Sequence, residues 1–333
     1  MPASGNHEVA ARRPSPPFAD WFPDAPFDAT YGYDLEALLQ VPVPPPPEGF
    51  ADFWRGRYTR ARGVHVAPEL GAPVRHGDHL VRPLRFTSLD GYRLGGWLAL
   101  PADGTPRSGV VVSHGYGGRA APDLAAVPAD AAAIFPVARG LPEPSLLAEI
   151  PSPEQGHVLH GIESVETYVL GGCAADVWCA ATVLTEVCGQ LPLVFCGTSF
   201  GGGQGALALP WDDRFVAAAL RVPSFGQYDV RLASPCTGSG ELVRHHVAAH
   251  PEARDVLRFF DAATAATFLR VPALLGCALW DPAVPPPGQF AVYNACADVA
   301  ELQVLDAGHA EYPTQSEDDE EWLRRVRAMA VRA

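Results

Sequence analysis

The stretch GTSFGGG, residues 197–203, sets one serine, Ser199, between Gly197 and Gly201 in the pattern G-x-S-x-G. The apolar run LPLVFC (191–196) leads into it, and GGGQGALAL (201–209) leads away. A short apolar run bounded by turn residues reads as a buried strand, and the small-residue segment that follows is compatible with a helix. A serine on such a strand-to-helix turn has a strained backbone, and the turn lifts its hydroxyl above the sheet. Glycines two positions away on either side are needed because neighbouring chain comes very close. The five-residue pattern alone is common in glycine-rich chains. The strand before it and the helix after it make it specific.

A serine hydroxyl is too weakly acidic to attack unaided, so a general base must take its proton. The base in turn needs a carboxylate that holds its tautomer and stabilises the imidazolium. Behind a strand–turn–helix serine, the partners follow in the order acid, then histidine. Asp281 closes the apolar run PALLGCALWD (272–281), and His309 follows ELQVLD (301–306) in the loop AGHAEY (307–312). Both therefore fall at the carboxyl ends of strands, where wound sheets carry their sites. Asp306, three residues before His309, is a competing carboxylate. Its place on the last turn of the same strand suits a supporting role, and Asp281 is the favoured acid. An oxyanion hole needs two backbone N–H groups. One is that of Phe200, the residue after the serine. The other comes from the loop His114, Gly115, Tyr116, Gly117, Gly118 behind the run GVVVS (109–113). A phosphate-binding reading of that loop lacks the G-K-[ST] ending.

Along the rest of the chain, residues 1–47 are rich in proline and aromatics and read as an extended arm with one helical patch, DLEALLQ (34–40). The run VPVPPPP (41–47) is a stiff spacer. EGFADFWRGRYTRAR (48–62) puts Phe50, Phe53, Trp54 and Tyr58 near one helical face, a core-packing pattern. Period-two alternation from residue 78 predicts two antiparallel strands around LDGY (89–92). Further strands are predicted at 109–114, 131–140, 191–199, 214–223, 270–281 and 300–309. Helices are predicted at 163–187, from 201, at 287–297 and at 316–331. This alternation predicts an α/β fold with a doubly wound, mostly parallel sheet. The domain division is 1–77 as arm and packing helix, and 78–333 as the sheet domain. Residues 223–268 break the rhythm and read as a cap-like surface insertion. The acidic run EDDEEW (317–322) is a solvated helix start.

Composition removes other classes. Formal net charge is −14, which repels phosphate backbones and disfavours nucleic-acid binding. All 24 basic residues other than histidine are arginine, so no Schiff-base, P-loop or kinase lysine exists. No run reaches the roughly 18 uninterrupted apolar residues of a membrane span. The first twenty residues lack the apolar core of a secretory signal, so a cytoplasmic location is expected. The seven cysteines form no C-x-x-C pair and read as buried free thiols. The histidine groups 76/79, 157/160 and 245/246/250 lack a complete ligand set, so no metal or other cofactor is expected.

Taken together, HGYGG (114–118), ARG (138–140), GTSFGGG, WDPAVPPPGQFAVYNA (280–295) and GHAEY (308–312) resemble the cephalosporin C deacetylase and acetyl xylan esterase family, carbohydrate esterase family 7. LEALLQVPVPPPPEGFADFW (35–54) resembles that family's N-terminal segment, and the likeness spans about residues 34–325. It implies an α/β-hydrolase that removes acetyl groups from sugar esters or related small acetates. It implies Ser199, Asp281 and His309 as triad, and the N–H groups of Tyr116 and Phe200 as oxyanion hole. It also implies a homo-oligomer, often a ring-shaped hexamer. Three features depart from the family. Phe200 replaces its usual glutamine, which predicts a more apolar acyl pocket. Its R-G-Q reads Arg139, Gly140, Leu141, and Ala310 separates His309 from Glu311. Two rival readings stay open from the residues alone. One is a general short-chain carboxylesterase or oligopeptidase-like hydrolase. The other is a non-catalytic binding protein on the same scaffold.

Overall fold

A computed structural model describes residues 16–333, so the first part of the proline-rich arm, and with it most of the segment read for a secretory signal, lies outside the described residues. The strand that ends at the serine, β7 (Leu193–Thr198), lies inside a single sheet. The strands before it are β1 (Glu69–Leu70), β2 (Val74–His76), β3 (His79–Thr87), β4 (Arg93–Pro101), β5 (Ser108–Val112) and β6 (Ala131–Pro136). Those after it are β8 (Phe215–Arg221), β9 (Ala273–Trp280) and β10 (Ala300–Ala307). Their spatial order is β1-β3-β4-β6-β5-β7-β8-β9-β10, with β2 paired to β3. Strands β6 through β10 run parallel, while β3 and β4 form an antiparallel hairpin joined to β6. The chain moves from β5 outward to β6, then returns to the other side of β5 as β7. That reversal opens a crevice at the carboxyl ends of β5 and β7, where the loop after β5 meets Ser199.

Alternation along β7 sorts its side chains. Leu193 and Phe195 join the larger core, while Val194 and Cys196 face the opposite layer. The larger core holds α3 (Phe50–Arg62), α4 (Val169–Cys188), α5 (Phe200–Ala208) and α10 (Pro286–Ala295). The opposite layer is covered by α11 (Gln315–Arg332) through Trp322, Val326 and Ala330. Phe50 and Trp54 are fully buried, as the aromatic face of α3 predicts, and Trp54 donates its indole N–H to the Phe259 carbonyl. Helix α4 is long and apolar enough to cross a bilayer by length and composition, yet most of it is enclosed by the sheet and its neighbours. The seven cysteines are unpaired and, apart from half-buried Cys188, buried.

Glycines 171 and 172 sit inside α4, where helix propensity disfavours them. Close approach explains both. A Cβ on Gly171 would meet the Arg57 guanidinium, and one on Gly172 would lie 2.4 Å from Arg139 Nη1. Arg139 runs across the helix to Asp176, with Nη2 to Oδ1 at 2.7 Å, and its own backbone N–H also donates to that carboxylate. Ser88 adds a further bond to Asp176 Oδ1 at 2.6 Å. The pair is almost completely enclosed, with side chains 4% and 1% exposed.

The insertion between β8 and β9 folds as four short helices, α6 (Tyr228–Ala233), α7 (Gly240–Ala249), α8 (Ala253–Leu257) and α9 (Ala262–Ala266). Helix α9 is buried throughout and capped by the Asp261 carboxylate, and α7 reaches over to residues 157–159. The arm is short and helical at α1 (Phe18–Trp21) and α2 (Leu35–Leu38), and elsewhere extended or turning.

Breaking a buried ion pair by deleting one partner strands the other charge, at a cost of about 3–5 kcal/mol. Asp176→Ala should therefore lower unfolding stability by about that amount in a urea titration, and replacing both Asp176 and Arg139 by apolar residues should recover much of it.

Candidate active site

Ser199 stands at the hinge between β7 and α5 with φ 56° and ψ −116°, a conformation that a residue with a side chain rarely adopts. Local bonds hold it there. Its N–H donates to the Arg221 carbonyl at 2.8 Å, and its carbonyl accepts from Gly203 and Ser224. The flanking glycines have no room for a side chain. A Cβ on Gly197 would come 2.5 Å from the Gly201 carbonyl oxygen, and one on Gly201 would come 2.8 Å from that of His114. The turn is thus clamped from both sides.

The structure brings Ser199, His309 and Asp281 into one hydrogen-bonded chain. The Ser199 hydroxyl lies 2.8 Å from His309 Nε2, and His309 Nδ1 lies 2.8 Å from Asp281 Oδ2. An ionised carboxylate only accepts, so Nδ1 carries the proton and Nε2 is free to accept the serine proton. Asp281 is fully buried, and every oxygen lone pair it presents is used. Its Oδ1 accepts from the backbone N–H groups of Ala283 and Val284, both at 2.9 Å, and its Oδ2 also accepts from Gln289 Nε2 at 2.9 Å. Gln289 is itself fixed, since its Oε1 accepts from Ala278 N–H. Asp306 does not reach the imidazole; its carboxylate accepts from Thr314 Oγ1 at 2.8 Å. Burial of the His309 ring disfavours its charged form. The hydrogen bond and charge of Asp281 outweigh burial and raise its pKa above the ordinary 6.5.

The loop after β5 lies against the elbow. Tyr116 is the second residue of a turn closed by Gly118 N–H to the Gly115 carbonyl. Its own N–H and that of Phe200 donate to no acceptor among the described residues. For Phe200 this follows from its place at a helix N-terminus, where backbone donors are left over. The loop is braced by two neutral histidines that the sequence placed only as surplus or loop residues. His114 donates from Nδ1 to the Gly115 carbonyl and accepts the Ala138 N–H at Nε2; burial lowers its pKa to about 4. His157 donates from Nε2 to the Arg139 carbonyl and accepts the Tyr116 hydroxyl at Nδ1, 3.2 Å away; burial again lowers the pKa to about 4. The segment around Arg139 and His157 therefore supports the Tyr116 loop from behind.

Phe200 corrects one expectation. Its ring is buried, packed 5.6 Å from Tyr116, 5.8 Å from Phe225 and 6.1 Å from His114 between ring centres. It fixes the loop, and an apolar lining of the acyl pocket does not come from this side chain. No cluster of His, Cys, Asp or Glu among the described residues is arranged to hold a metal.

The arm also reaches the site. Phe22 stacks on Trp280 with centroids 3.9 Å apart, and the Ala29 carbonyl accepts the Asp281 N–H at 3.1 Å. Tyr31 donates to the Pro235 carbonyl at 2.8 Å, tying the arm to the insertion. Gln289, His157 and Ala29 are the residues that motif reasoning missed. Gln289 alone carried a signal, since it lies inside the stretch after Asp281.

A family model described as acetyl xylan esterase matches residues 35–325. The chain belongs to the acetyl xylan esterase family. This member is accordingly a carboxylic ester hydrolase with the α/β-hydrolase fold. It is similar in fold to acetyl xylan esterase 1 from Thermoanaerobacterium sp. JW/SL YS485, at 19% identity and TM-score 0.76, over 90% of this chain and 99% of that one. Acetyl xylan esterase from Paenibacillus sp. R4 gives 20% identity and TM-score 0.75 over 88% and 99% of the two chains. A Pyrococcus horikoshii acylaminoacyl peptidase shares the fold over 77% of this chain and 41% of its own, at 17% identity and TM-score 0.58. The acetyl xylan esterase match begins just past the aromatic arm, so Phe22, Ala29 and Tyr31 are features of this member outside the matched region.

A Cβ on Gly308 would lie 2.3 Å from Asp281 Oδ2. Gly308→Ala should displace the His309 loop from the carboxylate and lower kcat by about 100-fold, with the melting temperature changed by no more than a few degrees.

Proposed function

We propose that this chain hydrolyses acetyl and other short-chain acyl esters of sugars or similar small molecules through an acyl-enzyme on Ser199. The observation that carries the proposal is the unbroken chain Ser199 Oγ–His309–Asp281, with both links at 2.8 Å. His309 Nε2 takes the hydroxyl proton as Oγ attacks the ester carbonyl. The N–H groups of Phe200 and Tyr116 receive the oxyanion, a role supported by their freedom from internal acceptors and by their preset loops. Asp281 stabilises the imidazolium without taking its proton. As the carbonyl re-forms, the alcohol leaves with the proton from Nε2. Water enters, gives a proton to Nε2 and attacks the acyl-serine. The carboxylic acid is then released, and Ser199 regains its hydrogen.

Acetyl specificity is supported by family membership. The proposal includes a homo-oligomer, supported by the family resemblance of the sequence, and light scattering on the purified protein measures it directly.

Ser199→Ala should abolish hydrolysis of 4-nitrophenyl acetate while leaving the melting temperature nearly unchanged; a retained rate would refute Ser199 as the nucleophile. In a series of nitrophenyl esters kcat/KM should be largest for acetate, whereas a peak at butyrate or longer would identify a general carboxylesterase. Asp281→Asn should fold and lose about three to four orders of magnitude in kcat. The neutral imidazole is the working base, so activity rises with pH through the His309 pKa. With Asp281 present the inflection should lie above pH 6.5. In Asp281→Asn the burial effect remains without its counterweight, and the inflection should move to lower pH.

A further inference from the structure

Arg231, on α6 of the insertion, is 5% exposed and has no ion pair or side-chain hydrogen bond among the described residues. Its Nε is sealed from solvent without an acceptor. Arg139 is answered by Asp176 and Arg214 by Asp212, Arg57 reaches the Val165 and Glu166 carbonyls, and even Arg119, which also keeps sealed nitrogens without an acceptor, donates to the Ser113 carbonyl. The acids near Arg231 are engaged elsewhere. Glu241 holds Arg244 and His245, Asp261 caps α9 and accepts the Tyr228 N–H, and Asp281 is saturated as described. An enclosed cation without a counter-charge is costly, and a charge arriving from outside would relieve that cost.

Its location says which part of a substrate it would meet. The guanidinium carbon lies 5.9 Å from the centre of the Phe225 ring, which packs edge-on against Phe200 beside the nucleophile. Gly240 leaves the guanidinium its place, since a Cβ there would come 2.2 Å from Nη2. The other titratable groups under its field are the Tyr31, Tyr168 and Tyr228 hydroxyls, the Cys236 thiol and the His309 imidazole; burial holds the hydroxyls and the thiol in their neutral forms. The departing alcohol must pass His309, because it collects its proton from Nε2. The Arg231 charge acts on that imidazole and its guanidinium lies over Phe225, which sets it on the His309 flank of the site, the side from which the alcohol leaves.

We propose that Arg231 binds a carboxylate on the alcohol portion of the substrate, so that the preferred substrates are acyl esters of hydroxy acids or acidic sugars. The planar guanidinium matches a carboxylate through two parallel hydrogen bonds from its terminal nitrogens. This inference rests on the esterase reading above and narrows its substrate class.

The test compares 4-acetoxybenzoate with 4-acetoxybenzamide, which differ in charge but little in size. The wild-type enzyme should favour the carboxylate in kcat/KM by about 10- to 100-fold, expressed mainly in KM. Arg231→Gln should erase that preference, Arg231→Lys should keep part of it, and Arg107→Gln, at an exposed site, should keep all of it. If Arg231→Gln fails to fold, the wild-type ratio and Arg231→Lys still decide. Equal or better hydrolysis of the benzamide by the wild type overturns the inference and leaves the esterase reading intact. An unchanged ratio in Arg231→Gln does the same. Hydrolysis of neither ester overturns the esterase reading and the inference together.

Discussion

A fully buried carboxylate, Asp281, is the constraint on which the site depends. An isolated charge in such a place would be expelled or neutralised. Here four donors converge on it: the His309 imidazole, two backbone N–H groups of the following turn, and the Gln289 amide. These bonds perform two tasks at once. They satisfy both oxygens of the buried carboxylate, and they lash the end of β9, the start of α10 and the loop after β10 into one unit. The imidazole is therefore aimed before any ester arrives, which is what makes preorganised groups effective.

Ser199 is aimed from the other side by steric rather than electrostatic means. Ser199 keeps its unusual backbone because Gly197 and Gly201 admit close contacts from every direction and because Arg221 and Ser224 hold its peptide groups. Behind the Tyr116 loop, two buried neutral histidines supply one donor and one acceptor each. Burial keeps both rings uncharged, so neither adds a charge beside the loop. The parallel sheet sets the distances between these parts, since β5, β7, β9 and β10 all end at the same edge.

Much of this was legible in the sequence because it was local. The elbow announced itself through glycine spacing and the apolar run before it, and the strand ends at Asp281 and His309 followed from the same pattern. The hairpin of β3 and β4 was visible from alternation alone. Helix α4 was legible despite two internal glycines, although their reason, the passage of Arg57 and Arg139, needed coordinates. The unreadable parts are contacts between distant segments. Nothing local distinguishes His157, which supports a tyrosine forty-one positions earlier, from the surface histidines His245 and His250. Phe200 misled for a related reason. Its neighbours in sequence suggested an acyl pocket, whereas its neighbours in space are aromatic rings that close over it.

The Ala29 carbonyl brings the arm, upstream of the family-matched residues 35–325, into direct contact with the backbone of Asp281. A substitution in that arm can consequently move the Asp281 backbone while the Ser199, His309 and Asp281 side chains stay the same. The position of a buried carboxylate is thus set in part by chain lying some two hundred and fifty positions upstream, out of reach of any comparison limited to the residues around Ser199, Asp281 and His309.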